Sequence, residues 1–179
     1  MNTYALAKFI AEADGVDSRK RLQKAVFLLQ VAGCKLGADF FLHLYGPYSY
    51  DVAAATDGLA KAGILEEKPE LQPWGQQYSY AITGQGRKVL EECEKTPEGQ
   101  KTLKSVSRHL NLFKKLNQVP LWTLELGSTI AFYRVRGGLE WGKAREKTAE
   151  LKKATPGDLG EAERLAKEIV PGEASKGGE

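Results

Sequence analysis

The feature that most constrains the fold is the order of hydrophobic patterns between Arg19 and Thr83. An apolar helical pattern is followed by the strand pattern FFLHLY and a second helical pattern ending in KAGIL. Two alternating strand patterns then flank a loop rich in proline and glycine. This order predicts a winged helix-turn-helix, with the last two strands as the wing. The predicted fold class is α+β, mainly α, with this unit over residues 1–95, a C-terminal helical region over 96–170 and a disordered tail over 171–179.

Capping residues and breakers predict where the elements begin and end. We expect one strand over residues 40–45, a turn at Gly46 and Pro47, and wing strands over Ile64–Lys68 and Tyr78–Ile82, with Pro69 in the loop between them. The predicted helix N-caps are Thr3, Asp17 or Ser18, Ser49, Thr83, Thr96 and Thr155.

The charge is distributed unevenly along the 179 residues. Residues 1–95 hold 11 Lys and Arg against 12 Asp and Glu, whereas residues 96–179 hold 15 against 11. No apolar run reaches the ~18 residues that a membrane span needs, and no cleavable secretory signal is evident. We therefore expect a cytoplasmic protein without a membrane partner, whose net positive charge lies outside the predicted winged helix.

Four cations at the start of the second helical pattern are the best candidates for nucleic-acid contact in the first half. In a helix-turn-helix, the helix before the recognition helix crosses the phosphate backbone. We expect these side chains to project into solvent and bind phosphates; the alternative is that they only keep the end of a buried helix soluble. The four residues are Arg19, Lys20, Arg21 and Lys24.

The predicted recognition helix carries few groups that read bases. Between Ser49 and Ala62, its one cation is Lys61, and it carries Asp51 and Asp57. Base contact would therefore involve tyrosines and the wing. The candidates are Tyr48, Tyr50, Lys61 and Trp74, of which Trp74 is predicted to be exposed in the wing loop.

A second basic surface is predicted on the helix after Pro97. Its members follow helical spacing opposite much of the apolar stripe, so they share one side. This side would bind a phosphate backbone or an acidic partner, or it is an ordinary solvated face. The residues are Lys101, Lys104, Arg108 and Lys115.

Catalytic and metal-binding patterns are not evident in the sequence. His43 and His109 are the only histidines, and neither lies at metal-ligand spacing to a cysteine or to the other histidine. TGQGRK lacks the spacing of a phosphate-binding loop. We expect no enzymatic activity, no catalytic residue, no metal and no cofactor.

Three motifs carry a resemblance to a known group. KRLQKAVFLLQ, FFLHLYGPYSYDVAAATDGLAKAGILEE and YSYAITGQGRKVLEE occur in the order and spacing of the YwgA-like bacterial proteins, which the chain resembles over most of residues 4–170. It is more distantly similar to the Panacea antitoxin domain. The helix motif comprises residues 22–24 and the turn motif residues 45–49. The resemblance implies a winged-helix protein with a regulatory, antitoxin-like or phage-defence role, and it supplies no catalytic residues.

Two functional hypotheses follow. The first is a non-enzymatic bacterial transcription regulator that binds double-stranded DNA through the four N-terminal cations and the wing. The second is a protein-interaction module, antitoxin-like or a defence-associated adaptor, that uses the same scaffold without DNA. Both hypotheses are compatible with a homodimer that forms through the C-terminal helices.

Overall fold

The computed structural model describes residues 1–73 and 75–172. Its helices are α1 (Thr3–Glu12), α2 (Arg19–Val31), α3 (Tyr50–Lys61), α4 (Gly84–Glu94), α5 (Pro97–Gln118), α6 (Leu121–Val135), α7 (Trp141–Lys152) and α8 (Pro156–Ile169). Its strands are β1 (Phe41–His43), β2 (Gly46–Tyr48), β3 (Leu65–Gln72) and β4 (Gly75–Ile82), which form two small antiparallel sheets, β1 with β2 and β3 with β4. The chain is therefore α+β and mainly α.

The predicted capping residues begin most of the helices. The side chains of Ser18, Ser49, Thr83, Thr96 and Thr155 each accept a hydrogen bond from a backbone N–H in the first turn of their helix. The prediction was wrong for α1, where Asn2 is the N-cap and accepts from Ala5 N at 2.9 Å. Because the Asn2 side-chain oxygen accepts from an N–H of the first turn, the cap lies one residue earlier than predicted, and Thr3 is the first residue of the helix.

Both hairpins differ from their predicted limits. The expected single strand over residues 40–45 ends at His43, and the chain turns at Leu44 and Tyr45, so Gly46 and Pro47 begin β2 instead of forming the turn. In the second hairpin, Pro69 lies inside β3 and pairs with Tyr78. A two-stranded ribbon has two open edges, where a residue without an N–H is tolerated.

The core surrounds α2, as its nearly continuous apolar pattern predicts. Every residue from Arg21 to Leu29 is buried. The same hydrophobic cluster includes Phe9 of α1, Phe113 of α5 and Ile130 of α6. Residues before and after position 95 thus contribute to one buried cluster.

The wing-like hairpin is attached by main-chain hydrogen bonds to the segment that connects α1 and α2. Val16 N donates to Tyr80 O at 2.9 Å, and Tyr80 N donates to Val16 O at 2.8 Å. The division at residue 95 and the limits of the C-terminal region stay predictions. The predicted disordered tail lies outside the described residues from position 173 onward.

Candidate functional site

The LQK motif of α2 binds the backbone of the YGPYS motif directly. Gln23 Oε1 accepts from Ser49 N at 2.8 Å, and Gln23 Nε2 donates to Ser49 O at 2.9 Å. Both groups of the amide are used in a buried setting, since Gln23 is 5% exposed. Gln23 therefore fixes the entry to α3, which Ser49 caps through its hydroxyl.

Lys24 fixes the preceding part of the same motif. Its Nζ donates to Pro47 O at 2.9 Å, and the side chain is 2% exposed. Gly46 lies against it with φ +86°, and a Cβ there would meet Thr129 Oγ1 at 2.9 Å and Lys24 Cε at 3.4 Å. Glycine is therefore required both by the backbone conformation and by the close approach of α6.

A buried ion pair contacts the turn of the same hairpin. Lys152 Nζ is 2.7 Å from Glu125 Oε1, with both side chains almost fully buried, and it also donates to Leu44 O. Burial lowers the pKa of Lys24 to about 8; the Glu125 carboxylate opposes this change, and the Lys152 and Lys20 ammonium groups add to it. The hairpin β1–β2 is thereby held against α2, α6 and α7 by polar groups.

The expectation that all four cations of the α2 N-terminus project into solvent is wrong for two of them. Lys24 is buried as described, and Arg21 is 7% exposed. Arg21 Nη1 donates to Val119 O at 2.6 Å and Leu116 O at 3.2 Å, while its Nε pairs with Asp17. A helical pattern identifies a charged end but does not show that later elements, here the end of α5, will cover it.

Arg19 and Lys20 are exposed, but both already have partners in this chain. Arg19 pairs with Glu67 Oε1 at 2.7 Å, donates to Tyr80 Oη at 3.1 Å and lies over the Tyr78 ring. Burial and the hydrogen bond with Glu67 raise the pKa of Tyr80 to about 12. Lys20 Nζ lies 4.0 Å from the centroid of the Tyr45 ring.

The four cations do not form one free basic surface. Arg19 reaches the β3–β4 hairpin, Lys20 reaches the turn between β1 and β2, and the other two are internal. Three of them, Arg19, Lys20 and Lys24, contribute instead to a cleft of about 280 Å³ between the start of α2, the β1–β2 hairpin and α3. The residues that line this cleft (hereafter the α2 cleft) include Arg19, Lys20, Lys24, His43, Tyr45, Tyr48, Asp57 and Tyr80.

A second feature of the hairpin is a set of contacting aromatic rings, here called the aromatic cluster, which consists of Phe41, His43, Tyr48 and Tyr50. The ring centroids of Phe41 and Tyr50 are 5.3 Å apart, those of Tyr48 and Tyr50 5.4 Å, and those of Phe41 and Tyr48 5.7 Å. Tyr50 is 71% exposed and Phe41 39% exposed. These four residues line a cavity of about 270 Å³.

Carboxylates accompany the aromatic cluster. Asp51 follows Tyr50 in the first turn of α3, and its Oδ2 accepts from Asp39 N at 2.8 Å. The Asp39 and Asp51 residues are both exposed, and neither forms an ion pair within the described part of the chain. The surface at the start of α3 therefore combines aromatic faces with negative charge.

The outward side of α3 stays poor in cations, as its sequence indicates. Tyr50, Asp51, Asp57 and Lys61 are exposed. Tyr48 is half-buried, and its ring packs against those of Phe41 and Tyr50. The predicted contact residue Trp74 lies outside the described residues.

The residues of the second predicted basic surface lie on α5, and their role in binding stays a prediction. Lys101, Lys104 and Arg108 are exposed and have no ion-pair partner among residues 1–73 and 75–172. Lys115 differs, because its Nζ is 2.5 Å from Glu168 Oε1 of α8. Three of the four predicted positions thus form an exposed stripe of unneutralised charge.

Sequence reasoning missed the combination of Phe41, His43 and Asp39 with the predicted Tyr48 and Tyr50. The aromatic density of FFLHLYGPYSY was the available signal. It did not distinguish rings that enter the core, such as Phe40 packed on Phe27, from rings that stay outside. The tight turn at Leu44 and Tyr45 makes this difference, because it folds Phe41 back against Tyr48.

Among the described residues, no group of three or more His, Cys, Asp or Glu is arranged to hold a metal ion. None of the described helices is long and apolar enough to span a bilayer. The absence of enzymatic activity and the cytoplasmic location stay predictions.

The fold and surfaces define a mainly helical protein in which a motif on α2 holds a short aromatic hairpin against the start of α3. The chain is similar to uncharacterized protein YwgA of Bacillus subtilis (strain 168), with 27% identity over 148 residues, covering 82% of this chain and 81% of that protein. This similarity supports the resemblance to the YwgA-like proteins. No model of a protein family matches the chain. The likeness to the Panacea domain stays a prediction.

Proposed function

We propose that this protein is a non-enzymatic protein-interaction module on a winged helix-turn-helix scaffold, and that it binds a basic segment of a partner protein at the aromatic cluster. The scaffold assignment has support in the element order, in which α2 and α3 flank a short hairpin and the β3–β4 ribbon follows. The observation that carries the function is the exposed aromatic cluster with unpaired carboxylates beside it.

The aromatic cluster has the chemistry of a contact for cationic side chains. Aromatic faces attract arginine and lysine groups through the ring quadrupole. Tyrosine is also enriched among interface residues that dominate binding, since it provides large area with little conformational entropy to lose. Tyr50 is more exposed than Phe41 and offers a partner a largely open ring.

Charge complementarity selects a basic partner. Asp51 follows Tyr50 in the sequence, its Oδ2 accepts from the backbone N of the exposed Asp39, and Lys20 is engaged over Tyr45. Opposite charges across an interface accelerate association and disfavour wrong partners. A phosphate backbone approaching the same surface meets repulsion from these carboxylates, so this surface favours the protein-interaction hypothesis over DNA reading.

The test compares defined probes on the full chain. Fluorescein-labelled peptides with alternating Gly and Arg, and matched peptides with alternating Gly and Glu, are titrated by fluorescence anisotropy at about 50 mM salt, where screening is weak. A labelled duplex DNA is measured alongside. The variants are Tyr50→Ala and, as a control, Leu71→Ala, which removes an even more exposed apolar side chain from the β3–β4 hairpin.

We expect the arginine peptide to bind and the glutamate peptide and DNA not to bind. Tyr50→Ala weakens the arginine peptide about 5- to 30-fold, from the loss of a cation–π contact worth roughly 1–2 kcal/mol. Leu71→Ala leaves binding unchanged. Equal binding by wild type and Tyr50→Ala, or failure of the arginine peptide to bind at all, contradicts the proposed function.

A DNA-binding regulator is the second candidate, and the stripe on α5 is the observation that favours it. Lys101, Lys104 and Arg108 are exposed without ion-pair partners among the described residues, as a phosphate-binding surface requires. The duplex DNA titration above tests this candidate. A rise in the anisotropy of the labelled duplex at ~50 mM salt, lost when all three cations are changed to alanine, supports DNA binding. An anisotropy that does not change on addition of the protein contradicts it.

A further inference from the structure

The α2 cleft has the size of a small-ligand site. Its volume of about 280 Å³ lies just below the range of roughly 300–1,000 Å³ that is usual for ligand pockets. It is formed by four elements, since α2, the β1–β2 hairpin, α3 and Tyr80 of β4 all contribute side chains. A volume of this size is that of a mononucleotide-sized ligand and is too small for a dinucleotide.

The cations of the α2 cleft are incompletely satisfied within the chain. An ammonium group has three donors, yet Lys24 Nζ donates one hydrogen bond among the described residues, to Pro47 O. Lys20 forms no ion pair with any described residue. Arg19 is neutralised by Glu67, and Asp57 is the carboxylate in the lining. The lining therefore keeps an excess of positive charge, which selects an anion.

The walls of the α2 cleft select a planar ring as well. Tyr45, Tyr48, Tyr80 and His43 line it, with Leu22, Val52 and Ala53 as apolar contacts. Aromatic side chains stack on any base because every base has a π-face. The Asp57 carboxylate is an acceptor for a hydroxyl or amino group of such a ligand, in a part of the ligand other than its anionic group.

We propose that the α2 cleft binds a nucleoside monophosphate, with the phosphate at Lys20 and Lys24 and the base against the tyrosine rings. The three parts of the lining, cationic, aromatic and carboxylate, match the phosphate, base and ribose or amino groups of such a ligand. This site adjoins the proposed partner surface, since His43 and Tyr48 line both cavities, but its cations lie on α2 and the exposed ring of Tyr50 does not line it.

Isothermal titration calorimetry of the full chain tests this assignment. AMP, GMP, CMP and UMP are titrated in turn, followed by ribose 5-phosphate, which lacks a base, and adenosine, which lacks a phosphate. The variants are Lys24→Met, Lys20→Ala and Tyr45→Ala. The last two change exposed side chains, so their folding is not at risk if Lys24→Met fails to fold. Lys61→Ala removes an exposed cation outside the α2 cleft and is the matched control.

We expect at least one monophosphate to bind with a Kd below about 1 mM, and its ribose phosphate and nucleoside fragments to bind at least tenfold more weakly. Lys20→Ala and Tyr45→Ala each weaken the monophosphate at least fivefold, and Lys61→Ala does not. The proposal is overturned by the absence of binding for all four monophosphates, by ribose 5-phosphate binding as tightly as the best of them, or by binding that Lys20→Ala and Tyr45→Ala leave unchanged.

Discussion

Gln23 and Ser49, 26 residues apart in sequence, are joined through both polar groups of one buried side-chain amide. This pair connects the centre of the core to the first residue before α3. Since α3 carries Tyr50 and Asp51, the orientation of the aromatic cluster depends on a residue that never reaches the surface.

Replacing Gln23 by leucine is expected to destabilise the fold by about 2–4 kcal/mol. The change leaves Ser49 N and Ser49 O unpaired, and each buried unsatisfied group costs roughly 1–3 kcal/mol. Urea denaturation measures the loss. Gln30→Leu is a matched control in the same helix, because the Gln30 amide also bonds both backbone groups of one residue, Ala38, but Gln30 itself is only partly buried.

Gln30→Leu should therefore cost clearly less than Gln23→Leu. Equal losses of unfolding free energy for the two variants would contradict the claim that the buried Gln23–Ser49 hydrogen bonds contribute more than those between Gln30 and Ala38.

Gly46→Ala is expected to lower the free energy of unfolding by about 2–4 kcal/mol. A methyl group there adds the cost of a positive φ, roughly 1–2 kcal/mol, to a clash with Thr129 Oγ1 at 2.9 Å. Gly33→Ala separates the two effects, since Gly33 has a similar φ of +94° with nothing within 4 Å of the added Cβ. Thermal or urea unfolding should show a loss near 1 kcal/mol for Gly33→Ala, and a loss that small at Gly46 would disprove the close approach.

Arg21 and Lys20 are adjacent cations with opposite expected roles. Arg21→Met removes donors from two main-chain carbonyls at the end of α5 and should cost about 2–4 kcal/mol of stability. Lys20→Met removes one exposed contact over Tyr45 and should cost less than about 1 kcal/mol. Denaturation of the two variants decides this, and a reversed order would mean that Arg21 is not the structural cation.

Stability should depend on pH through Lys24. Its pKa is about 8 in the folded chain against 10.5 as its ordinary value, so the unfolded chain binds more protons between these values. The free energy of unfolding therefore rises with pH across this window, by about 1–2 kcal/mol between pH 7.5 and 9.5 from this group alone. Above pH 10 the rise is opposed, because Tyr80 keeps its proton to about pH 12 when folded.

Comparison with Lys24→Met isolates the effect. The variant should lose the rise between pH 7.5 and 9.5, measured by urea denaturation at several pH values. An unchanged slope would show that Lys24 is not the group responsible.

The sequence predicted the fold where local chemistry decides it. The caps Ser49, Thr83 and Thr96 and the burial of α2 follow from spacing and side-chain type within one element. The burial of Arg21 and Lys24 did not follow, because it depends on Val119 and Pro47, which lie 98 and 23 residues away. The geometry of the aromatic cluster did not follow either. It depends on the two-residue turn at Leu44 and Tyr45, whereas Gly46 and Pro47 in the next positions led to a turn being predicted there.

The most direct test of the proposed function is to record amide NMR spectra of the full chain while the arginine-containing peptide is added. If the aromatic cluster is the partner surface, the largest shift changes occur at Asp39, Phe41, Tyr48, Tyr50 and Asp51, and Tyr50→Ala reduces them. Changes confined to Lys101–Arg108, or spread evenly over every acidic residue, would contradict the proposed function.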